Sequence, residues 1–473
     1  RVVRLTPTSS NMASAMITND GQTLYYIASY QAGYELWKMS ENRETKLISK
    51  NSGVGSMEMS KDGKSIYILG SSPKKLTIAG DKLTNISTSA DMQLDLAAER
   101  EYMFNVVCRE ESRRFYTEDM HGVDWPALTK NYRQFLPHIN NNYDFANMLS
   151  ELLGELNVSH TGGRYSPRLP GVVTADLGLF FDWEYQGSGL RVEEVIEGSP
   201  LDIKDSKVEK GVIIEKIDGV EITPDMDYTT LINDKANVKT LLSLYNPFNG
   251  ERWEEVTKPV SKSVINNLLY NRWIKNRAAD VERLSNGRLG YVHIKSMNDG
   301  SFRDVYSDIL GKYNDKEGIV IDTRFNGGGR LHEDVEILFS GKKYLTQVIR
   351  GRESCDMPSR RYNKPSIMIQ CEANYSNAHG TPWVYREVGL GKLVGMPVPG
   401  TMTSVSWTTL QDPTLVFGIP IVGYRTNRGN YLENSQLEPD FKVANSPETI
   451  IYGVDSQLKV AVEELLKQID SQK

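Results

Sequence analysis

The sequence predicts a multidomain protein of the α+β class, in which β-rich and helical segments precede a mixed α/β core. Three observations lead to this prediction. A hairpin motif is repeated near the start of the chain, a second group of short strands lies in its middle, and strand and helix patterns alternate over residues 265–473. The length of 473 residues also exceeds what one hydrophobic core usually holds.

The first segment, residues 1–90, contains the repeat. Residues 19–27 (NDGQTLYYI) recur as residues 61–69 (KDGKSIYIL), an offset of 42 residues. An Asp-Gly pair favours a tight hairpin turn, and the β-branched and aromatic residues after it favour strands. The offset fits one propeller blade, and two blades cannot close a ring, so the repeat predicts a partial β-propeller consisting of its C-terminal blades. Two unrelated hairpins are the alternative.

The second segment, residues 91–170, is predicted to be helical. Asp144 is expected to cap a helix whose apolar residues return every three or four positions. Ser159 and His160 follow this helix, and the glycine pair at 162–163 makes their loop compact and lets the backbone approach other groups closely.

The third segment, residues 171–264, carries short strands and the motifs VIEGSP and IDGV. In these motifs it resembles a PDZ domain. Gly178, Leu179 and Phe180 stand where that family places its carboxylate-binding loop, so the resemblance implies that a peptide C-terminus binds there as an added strand. A role as a spacer is the alternative.

The fourth segment, residues 265–473, is predicted to be an α/β core domain. Residues 318–322 and 366–370 have the continuous apolar character of buried parallel strands. The chain closes with an amphipathic helix after Asp455.

Composition and charge exclude several classes of protein. A formal charge of −6 without a basic cluster predicts no nucleic-acid partner, and no apolar run reaches the roughly 18 residues of a membrane span. The three cysteines are too few and too scattered for a disulfide framework. No leader pattern follows Arg1, so we expect any targeting peptide to be absent or removed, and the compartment is not predicted.

A candidate nucleophile follows the second predicted buried strand. Ser376 lies in the motif NYSNAH (374–379), where a helix is expected to begin. The unpaired N–H groups and the dipole of a helix N-terminus stabilise the negative charge that forms when a serine attacks a carbonyl. The flanking residues do not match a Gly-x-Ser-x-Gly elbow. A plain helix cap is the alternative role for Ser376.

A run of three glycines follows the first predicted buried strand. Glycines 327–329 leave backbone N–H groups bare, which suits an anion or a developing oxyanion. The run is neither a GxGxxG motif nor followed by a Walker lysine, which argues against a nucleotide site. A simple tight turn is the alternative.

A serine nucleophile needs a base, and His160 is the first candidate. Glu433 is a candidate for the acceptor that orients this base. His379, one helical turn after Ser376, is the alternative base. The spacing of these residues does not show that they meet in space. The six histidines form no HExxH pair, so the sequence predicts no metal and no other cofactor.

Four motifs resemble those of the tricorn protease family and, more broadly, of the C-terminal-processing serine peptidases. They are GELNVSH at 154–160, NGGG at 326–329, Ser376 six residues before Pro382, and Glu433 six residues before Pro439. Those proteins join a propeller, a helical segment, a PDZ domain and an α/β core of the ClpP/crotonase-like type in this order. The resemblance therefore covers nearly the whole chain, with a truncated propeller.

The resemblance implies a role for each residue of the site. Ser376 would be the nucleophile and His160 the general base, with Glu433 and Ser159 as the hydrogen-bonded relay that sets the histidine tautomer. The oxyanion hole would consist of backbone N–H groups from three residues: Asn377, Gly328 and Gly329.

Two departures from the family pattern affect these expectations. Tricorn has Asp-Gly-Asp after its nucleophile, whereas this chain has Asn377-Ala378-His379, so a side-chain role of this segment in substrate choice is in doubt. The processing peptidases use a Ser-Lys dyad, but the corresponding region here reads Gly-Thr-Met-Thr at 400–403. A histidine relay is therefore the better interpretation.

These features together predict a serine peptidase that cleaves short or unfolded peptides through an acyl-enzyme. Its partners would be peptide or unfolded-protein substrates, and a homo-oligomer is compatible with the resemblance. The alternative is a non-catalytic peptide-binding protein of the same fold that uses the PDZ-like groove.

Overall fold

The structure, a computed structural model, describes residues 5–6, 10–30, 33–50, 55–87, 89–167 and 171–472. The chain divides into two compact units, residues 1–94 and residues 95–473. The fold is a mixture of helices and sheets, which confirms the predicted class at this coarse level.

The first unit consists of two four-stranded antiparallel sheets, each with its strands in chain order. The strands are β1 (Asn11–Ile17), β2 (Thr23–Ser29), β3 (Tyr34–Ser40), β4 (Thr45–Ser49), β5 (Ser56–Met59), β6 (Ser65–Leu69), β7 (Lys74–Thr77) and β8 (Lys82–Asn85). The sequence repeat corresponds to β2 and β6 with their preceding turns. Both turns have the same contact, a hydroxyl at Thr18 or Ser60 that donates to an aspartate two residues later at 2.6 Å. The repeat in sequence is thus a repeat in structure.

The second unit begins with three helices and a short strand: α1 (Leu96–Arg114), α2 (Trp125–Arg133), α3 (Asn142–Gly154) and β9 (Gly162–Tyr165). The predicted apolar face of α3 is buried. The predicted cap is wrong, however, because Asp144 lies inside the first turn. The capping side chain is that of Asn141, which accepts a hydrogen bond from the N–H of Asp144 at 2.9 Å.

A second β-rich segment follows, with most of its strands in one antiparallel sheet. The strands are β10 (Ala175–Asp176), β11 (Leu179–Phe181), β12 (Leu190–Val195), β13 (Ile213–Ile217), β14 (Val220–Glu221), β15 (Thr240–Tyr245), β16 (Arg252–Thr257) and β17 (Val260–Ser261). Among the described strands, β11 lies at one edge of this sheet and pairs with β12, while β10 pairs with β17.

The remaining chain contains the parallel sheet and the helices that cover it. The elements are α4 (Lys262–Leu284), β18 (Leu289–His293), α5 (Asp299–Ser307), β19 (Gly318–Asp322), α6 (His332–Ser340), β20 (Leu345–Ile349), β21 (Arg352–Met357), β22 (Ser366–Gln370), α7 (Asn377–Glu387), β23 (Lys392–Gly395), β24 (Thr403–Thr409), β25 (Leu415–Gly423), β26 (Phe441–Lys442), α8 (Pro447–Ile450) and α9 (Ser456–Asp470).

Five of these strands form the parallel sheet, in the order β18-β19-β22-β23-β26. Every residue of β19 and β22 is buried, which confirms the two predicted buried strands. Residues of α5, α6 and α7 pack on one face of the sheet, and residues of α4 and α9 pack on the other. The amphipathic final helix is also confirmed, and Asp455 caps it. Both faces of the sheet are covered, which explains why its strands are continuously apolar.

A separate three-stranded sheet positions the loop that carries His160. Strand β9 pairs antiparallel with β25, which in turn pairs with β24. The helical segment therefore contributes a strand to a sheet built by the last part of the chain. Among the helices of the described ranges, none has the length and apolar content that crossing a membrane requires.

Candidate active site

Ser376 occupies a sharp turn between β22 and α7. Its backbone has φ 59° and ψ −126°, a conformation that residues with a side chain rarely adopt. Ser376 stands at the N-cap position of α7, but its side chain makes no capping hydrogen bond to that helix. The turn is held from two sides: the N–H of Ser376 donates to Thr401 Oγ1 at 3.0 Å, and the amide of Asn374 donates to Thr323 Oγ1 at 2.9 Å. This arrangement presents a serine hydroxyl that the helix does not use.

The glycine loop after β19 lies directly against this turn. A Cβ atom at Gly328 would be 2.7 Å from Ser376 Cβ, and one at Gly329 would be 2.1 Å from the carbonyl oxygen of Met297. Both glycines also have positive φ, of 100° and 133°. Only glycine fits these two positions, so the run is more than a tight turn.

Asn326 joins the glycine loop to the serine turn. Its side chain is fully buried, and the side-chain amide donates to the carbonyl oxygen of Ile294 at 2.7 Å. The backbone carbonyl oxygen of Asn326 accepts from the N–H of Tyr375 at 3.0 Å. Its Oδ1 accepts from the N–H of Gly328 at 2.8 Å. The Gly328 N–H is therefore already occupied.

Two backbone N–H groups near Ser376 are unoccupied. Within the described ranges, neither the N–H of Asn377 nor that of Gly329 donates a hydrogen bond. Asn377 directly follows Ser376, and Gly329 directly follows Gly328, which lies against Ser376. Of the three predicted oxyanion donors, these two are available, whereas Gly328 provides the close approach.

The side chain of Asn377 has a structural role that the sequence did not reveal. It is 4% exposed, and its Oδ1 accepts from the N–H groups of Leu331 and His332 at 2.9 and 3.1 Å. Its amide lies 2.7 Å from His332 Nδ1. Asn377 thus holds the start of α6, at the end of the glycine loop. The side chain of Asn377 is thus directed to the start of α6, where it has a structural role.

The predicted relay residues are in direct contact. Ser159 Oγ lies 2.8 Å from His160 Nδ1 and donates to Glu433 Oε2 at 3.0 Å. The backbone N–H of Ser159 also donates to Glu433 Oε1 at 2.6 Å. Asn434 fixes the same loop, since its amide donates to the carbonyl oxygen of Asn157 at 2.7 Å. Segments more than 270 residues apart in sequence therefore meet at this point.

These contacts define where the proton of His160 lies. Ser159 has one hydroxyl proton, which it donates to the carboxylate of Glu433, so its oxygen is left to accept from His160 Nδ1–H. The neutral imidazole then carries its proton on Nδ1 and an open lone pair on Nε2. A histidine in this tautomer is able to accept a proton at Nε2.

Burial shifts the pKa of both titratable residues of the relay. Desolvation and the charge of Arg164 lower the pKa of His160 to about 4. Desolvation raises the pKa of Glu433, although the hydrogen bonds from Ser159 and the nearby His121 act in the opposite direction. His160 is therefore neutral at neutral pH, which is the form that a general base needs.

Tyr375 links the histidine loop to the serine turn. Its hydroxyl accepts from the N–H of His160 at 2.8 Å, and the two rings are in contact, with centroids 4.7 Å apart and planes tilted by 44°. No hydrogen bond joins Ser376 Oγ to His160 in the described part of the chain. In free enzymes such bonds are often long and tighten only when substrate binds. The structure thus brings His160 beside the residue that precedes Ser376.

The alternative base, His379, has a different environment. It is completely buried, and among the described residues neither of its ring nitrogens has a hydrogen-bond partner. Burial lowers the pKa of His379 to about 4. Within the described part of the chain, no hydrogen bond orients its tautomer or joins its ring to Ser376. The geometry favours His160.

Sequence reasoning missed two threonines of this site. Thr401 Oγ1 accepts from the N–H of Ser376, and Thr403 Oγ1 lies 3.1 Å from both His160 Nδ1 and Ser159 Oγ. The position of the two threonines in the sequence could have indicated their role, because they stand in the region where the processing peptidases place the lysine of their dyad. A threonine there is too common a residue to be noticed without the contacts.

A buried ion cluster fixes the start of the glycine loop. The guanidinium of Arg324, which is 2% exposed, lies 2.6 Å from Asp322 Oδ2 and 2.9 Å from Asp455 Oδ2. Trp273 stacks over it, with 5.5 Å between the guanidinium carbon and the ring centroid. The positive charge lowers the pKa of both aspartates against the effect of their burial.

The predicted carboxylate-binding loop is partly occupied by the chain itself. The N–H of Gly178 donates to Asp176 Oδ1 at 2.8 Å, and Leu179 pairs with Val195 in the sheet. Phe180 is exposed, with the guanidinium of Arg272 at 5.7 Å from its ring centroid. A peptide carboxylate at this loop would have to displace the side chain of Asp176.

Metal ligands are not clustered in the described residues, since no group of three or more His, Cys, Asp or Glu side chains is arranged to hold an ion. The chemistry of the site is instead that of a hydroxyl, an imidazole with an oriented tautomer, and free backbone N–H groups. This set is suited to acyl transfer.

Comparison with known proteins agrees with the motifs. Residues 288–443 match the model of peptidase family S41, and residues 96–154 match that of the Tricorn protease C1 domain. These matches confirm the resemblance to tricorn-type peptidases over the two segments.

Individual relatives extend this similarity over most of the chain. It is 26% identical to tricorn protease homolog 1 of Streptomyces coelicolor, with 86% of this chain and 40% of that protein covered. It is 23% identical to the tricorn protease of Thermoplasma acidophilum, covering 91% and 39%. A crystal structure of the tricorn protease superposes on 97% of this chain and 47% of that chain, with a TM-score of 0.77 and 18% identity. The chain spans about 40% of the length of these curated relatives.

Proposed function

We propose that this protein is a serine peptidase that hydrolyses peptide bonds of short or unfolded peptides through an acyl-enzyme at Ser376. The observation that carries the proposal is the chain of contacts Glu433–Ser159–His160, which leaves the Nε2 lone pair of the histidine free beside the strained serine turn. Peptidase family S41 also matches the segment that contains Ser376.

The first half of the reaction forms the acyl-enzyme. Ser376 Oγ attacks the carbonyl carbon of the scissile bond while His160 Nε2 takes the hydroxyl proton. The resulting tetrahedral oxyanion is stabilised by the N–H groups of Asn377 and Gly329, which are free to donate. The C–N bond then breaks, and His160 returns the proton to the leaving amine.

The second half releases the acid product. Water takes the place of the amine, and its oxygen attacks the ester carbonyl while His160 accepts one of its protons. The bond between the carbonyl carbon and Ser376 Oγ then breaks, and His160 returns the proton to Ser376 Oγ. In both halves Glu433 and Ser159 hold the Nδ1–H of His160 and stabilise the imidazolium that forms. Gly328 lets the glycine loop lie within contact of the serine.

We further propose how the domains of the chain are used. The two sheets of residues 1–90 would be blades of a β-propeller, and residues 91–170 a helical segment that delivers the histidine loop. Residues 171–264 would be a PDZ-like domain, and residues 265–473 the catalytic α/β core. The repeated turns of the first unit and the edge position of β11 support this division.

The non-catalytic peptide-binding alternative has less support. The N–H of Gly178 is taken by Asp176, whose negative charge opposes a peptide carboxylate at the same loop. A binding protein would also have no use for a serine held in a strained conformation.

The proposal is tested with a fluorophosphonate probe on the intact protein, with the labelled residue identified by mass spectrometry. We expect a single adduct on Ser376 that is lost in Ser376→Ala. The exposed Ser307 of α5 is the matched control, and Ser307→Ala should label as the parent does. An absence of labelling, or labelling that persists in Ser376→Ala, would contradict the proposal.

A further inference from the structure

Two threonine hydroxyls connect the nucleophile and the base from one short segment. Thr401 Oγ1 accepts from the N–H of Ser376 at 3.0 Å, and Thr403 Oγ1 lies 3.1 Å from His160 Nδ1. Met402, between them, packs against Gly380 of α7, where a Cβ atom would lie 2.5 Å from its methyl carbon. The segment is therefore fixed against the helix that follows Ser376.

Thr403 completes the hydrogen bonding of the relay. Ser159 Oγ donates to Glu433 and accepts from His160 Nδ1–H, which leaves one lone pair unused. The hydroxyl of Thr403, 3.1 Å away, is placed to donate to this lone pair. Its own oxygen is then close enough to share the Nδ1 proton. Because Thr403 is 2% exposed, these interactions act in a region of low dielectric.

The benefit of Thr403 is larger when His160 is charged. An oxygen that accepts from an imidazolium N–H forms a stronger bond than one that accepts from a neutral ring. The hydroxyl should therefore stabilise His160 most at the moment when it holds the serine proton.

Thr401 acts on the other partner. The N–H of Ser376 belongs to a residue with φ 59°, and the hydrogen bond to Thr401 helps to keep this turn in place. Thr401 follows Ser376 by 25 residues, in the region where the processing peptidases place the lysine of their dyad. A threonine hydroxyl cannot act as a base in place of that lysine. In this chain it instead accepts a hydrogen bond from the backbone N–H of Ser376.

We propose that Thr401 and Thr403 are positioning residues of the peptidase reaction, one holding the Ser376 turn and the other holding the ring of His160, so that a single segment sets the geometry between nucleophile and base. This inference rests on the proposed function. It assigns the two hydroxyls different effects, since only Thr403 touches the imidazole.

The charged and titratable groups around His160 define the expected pH response. Arg164 disfavours its protonation, Tyr375 contacts its ring at a tilted angle, and Glu433 acts on it through Ser159, with His121 near the glutamate. None of these groups is changed by replacing Thr403. Loss of the Thr403 oxygen should destabilise the imidazolium and lower the pKa of His160, which moves the acid limb of activity to lower pH.

The test measures two quantities for each variant over the pH range in which the protein stays folded. One is the rate constant for fluorophosphonate labelling of Ser376, and the other is the titration of the His160 ring by NMR, assigned with His160→Gln. Thr403→Val should lower the labelling rate by about tenfold and the pKa of His160 by about half a unit, because one charge-assisted bond is lost. Thr403→Ser should restore both.

Two further variants separate the roles. Thr401→Val should lower the labelling rate by about tenfold while the titration of His160 stays unchanged, because only a backbone partner is lost. Thr409→Val, at the exposed far end of β24, should change neither quantity. Should Thr403→Val not fold, Thr403→Ala gives the same readings.

The outcomes are distinct from those that test the proposed function. If the parent labels at Ser376 but Thr403→Val leaves the titration of His160 unchanged, the positioning role is overturned and the peptidase stands. If Thr401→Val shifts this titration as much as Thr403→Val does, the division of roles is overturned. If the parent is not labelled while Thr403→Val shifts the titration of His160, the proposed peptidase activity is overturned and the contact of Thr403 with His160 is supported.

Discussion

The relay around His160 and the ion cluster around Arg324 bury carboxylates in opposite ways. Asp322 and Asp455 lie against a guanidinium, which lowers the pKa of both. Among the described residues, Glu433 has no cation in hydrogen-bond contact and receives only the N–H and O–H of Ser159, and burial raises its pKa.

The ion cluster around Arg324 therefore has the features of a structural support, whereas the relay around His160 has those of a group that transfers a proton. A guanidinium between two carboxylates keeps all three groups charged and fixed, which suits the base of a loop that must stay in place. A carboxylate that contacts only a hydroxyl and an N–H can respond when the neighbouring imidazole becomes charged. The first arrangement should therefore matter for stability and the second for turnover.

The largest expected effect is on turnover. His160→Ala should reduce peptide hydrolysis on the order of 10³-fold or more, because it removes the activation of Ser376. The half-buried position of His160 predicts little change in unfolding. The exposed His138 is the control, and His138→Ala should retain full activity, whereas equal activity of His160→Ala would place the base elsewhere.

The ion cluster gives the next effect. Arg324→Met should lower the free energy of unfolding by about 3–5 kcal/mol, because it removes the guanidinium whose charge offsets those of two buried carboxylates. Urea denaturation measures this change. The exposed pair of Arg303 and Asp299 is the control, and Arg303→Met should cost less than about 1 kcal/mol. A small effect at Arg324 would show that the aspartates can be neutralised cheaply.

Glu433→Gln tests the other side of the comparison. Its amide can accept only one of the two hydrogen bonds from Ser159, so we expect a loss of about tenfold to a hundredfold in kcat/KM. Thermal denaturation should shift far less than for Arg324→Met. A variant with full activity and strongly reduced stability would reverse the roles of the two clusters.

The smallest effects concern the pH dependence of stability, and their signs are opposite. The lowered pKa values of Asp322 and Asp455 mean that their contribution is present above the ordinary value of 3.8 and is lost as the pH falls through the folded-state pKa. The raised pKa of Glu433 means that its contribution is present below 4.5 and is lost as the pH rises through the folded-state pKa.

Variants of each carboxylate reveal these signs in unfolding experiments. Relative to the parent, Glu433→Gln should gain stability as the pH rises through the raised pKa of Glu433. Relative to the same parent, the deficit of Asp455→Asn should shrink as the pH falls below 3.8. Parallel pH profiles for both variants would contradict the comparison.

Local sequence patterns were sufficient for much of the fold. The continuous apolar runs predicted β19 and β22, and the spacing of apolar residues predicted α9. The cap of α3 was misplaced because both Asn141 and Asp144 are good capping residues, and only the backbone geometry decides between them.

The candidate site depended on contacts that no local pattern encodes. The meeting of His160 with the serine turn follows from the pairing of β9 with β25, which joins segments about 250 residues apart. The motifs named Ser376 and Glu433, but the use of Asn377 as a scaffold and the contact of Thr403 with His160 depend on tertiary geometry.

An affinity-labelling experiment tests most directly the central claim that His160 is the general base for Ser376. Short peptidyl chloromethyl ketones that differ in the residue at the scissile position would bind Ser376 through their carbonyl and alkylate the base within reach. We predict a covalent adduct on His160 Nε2, found by mass spectrometry of the digested protein, which disappears in Ser376→Ala. Alkylation of His379, or of His160 equally in the presence and absence of Ser376, would contradict the account.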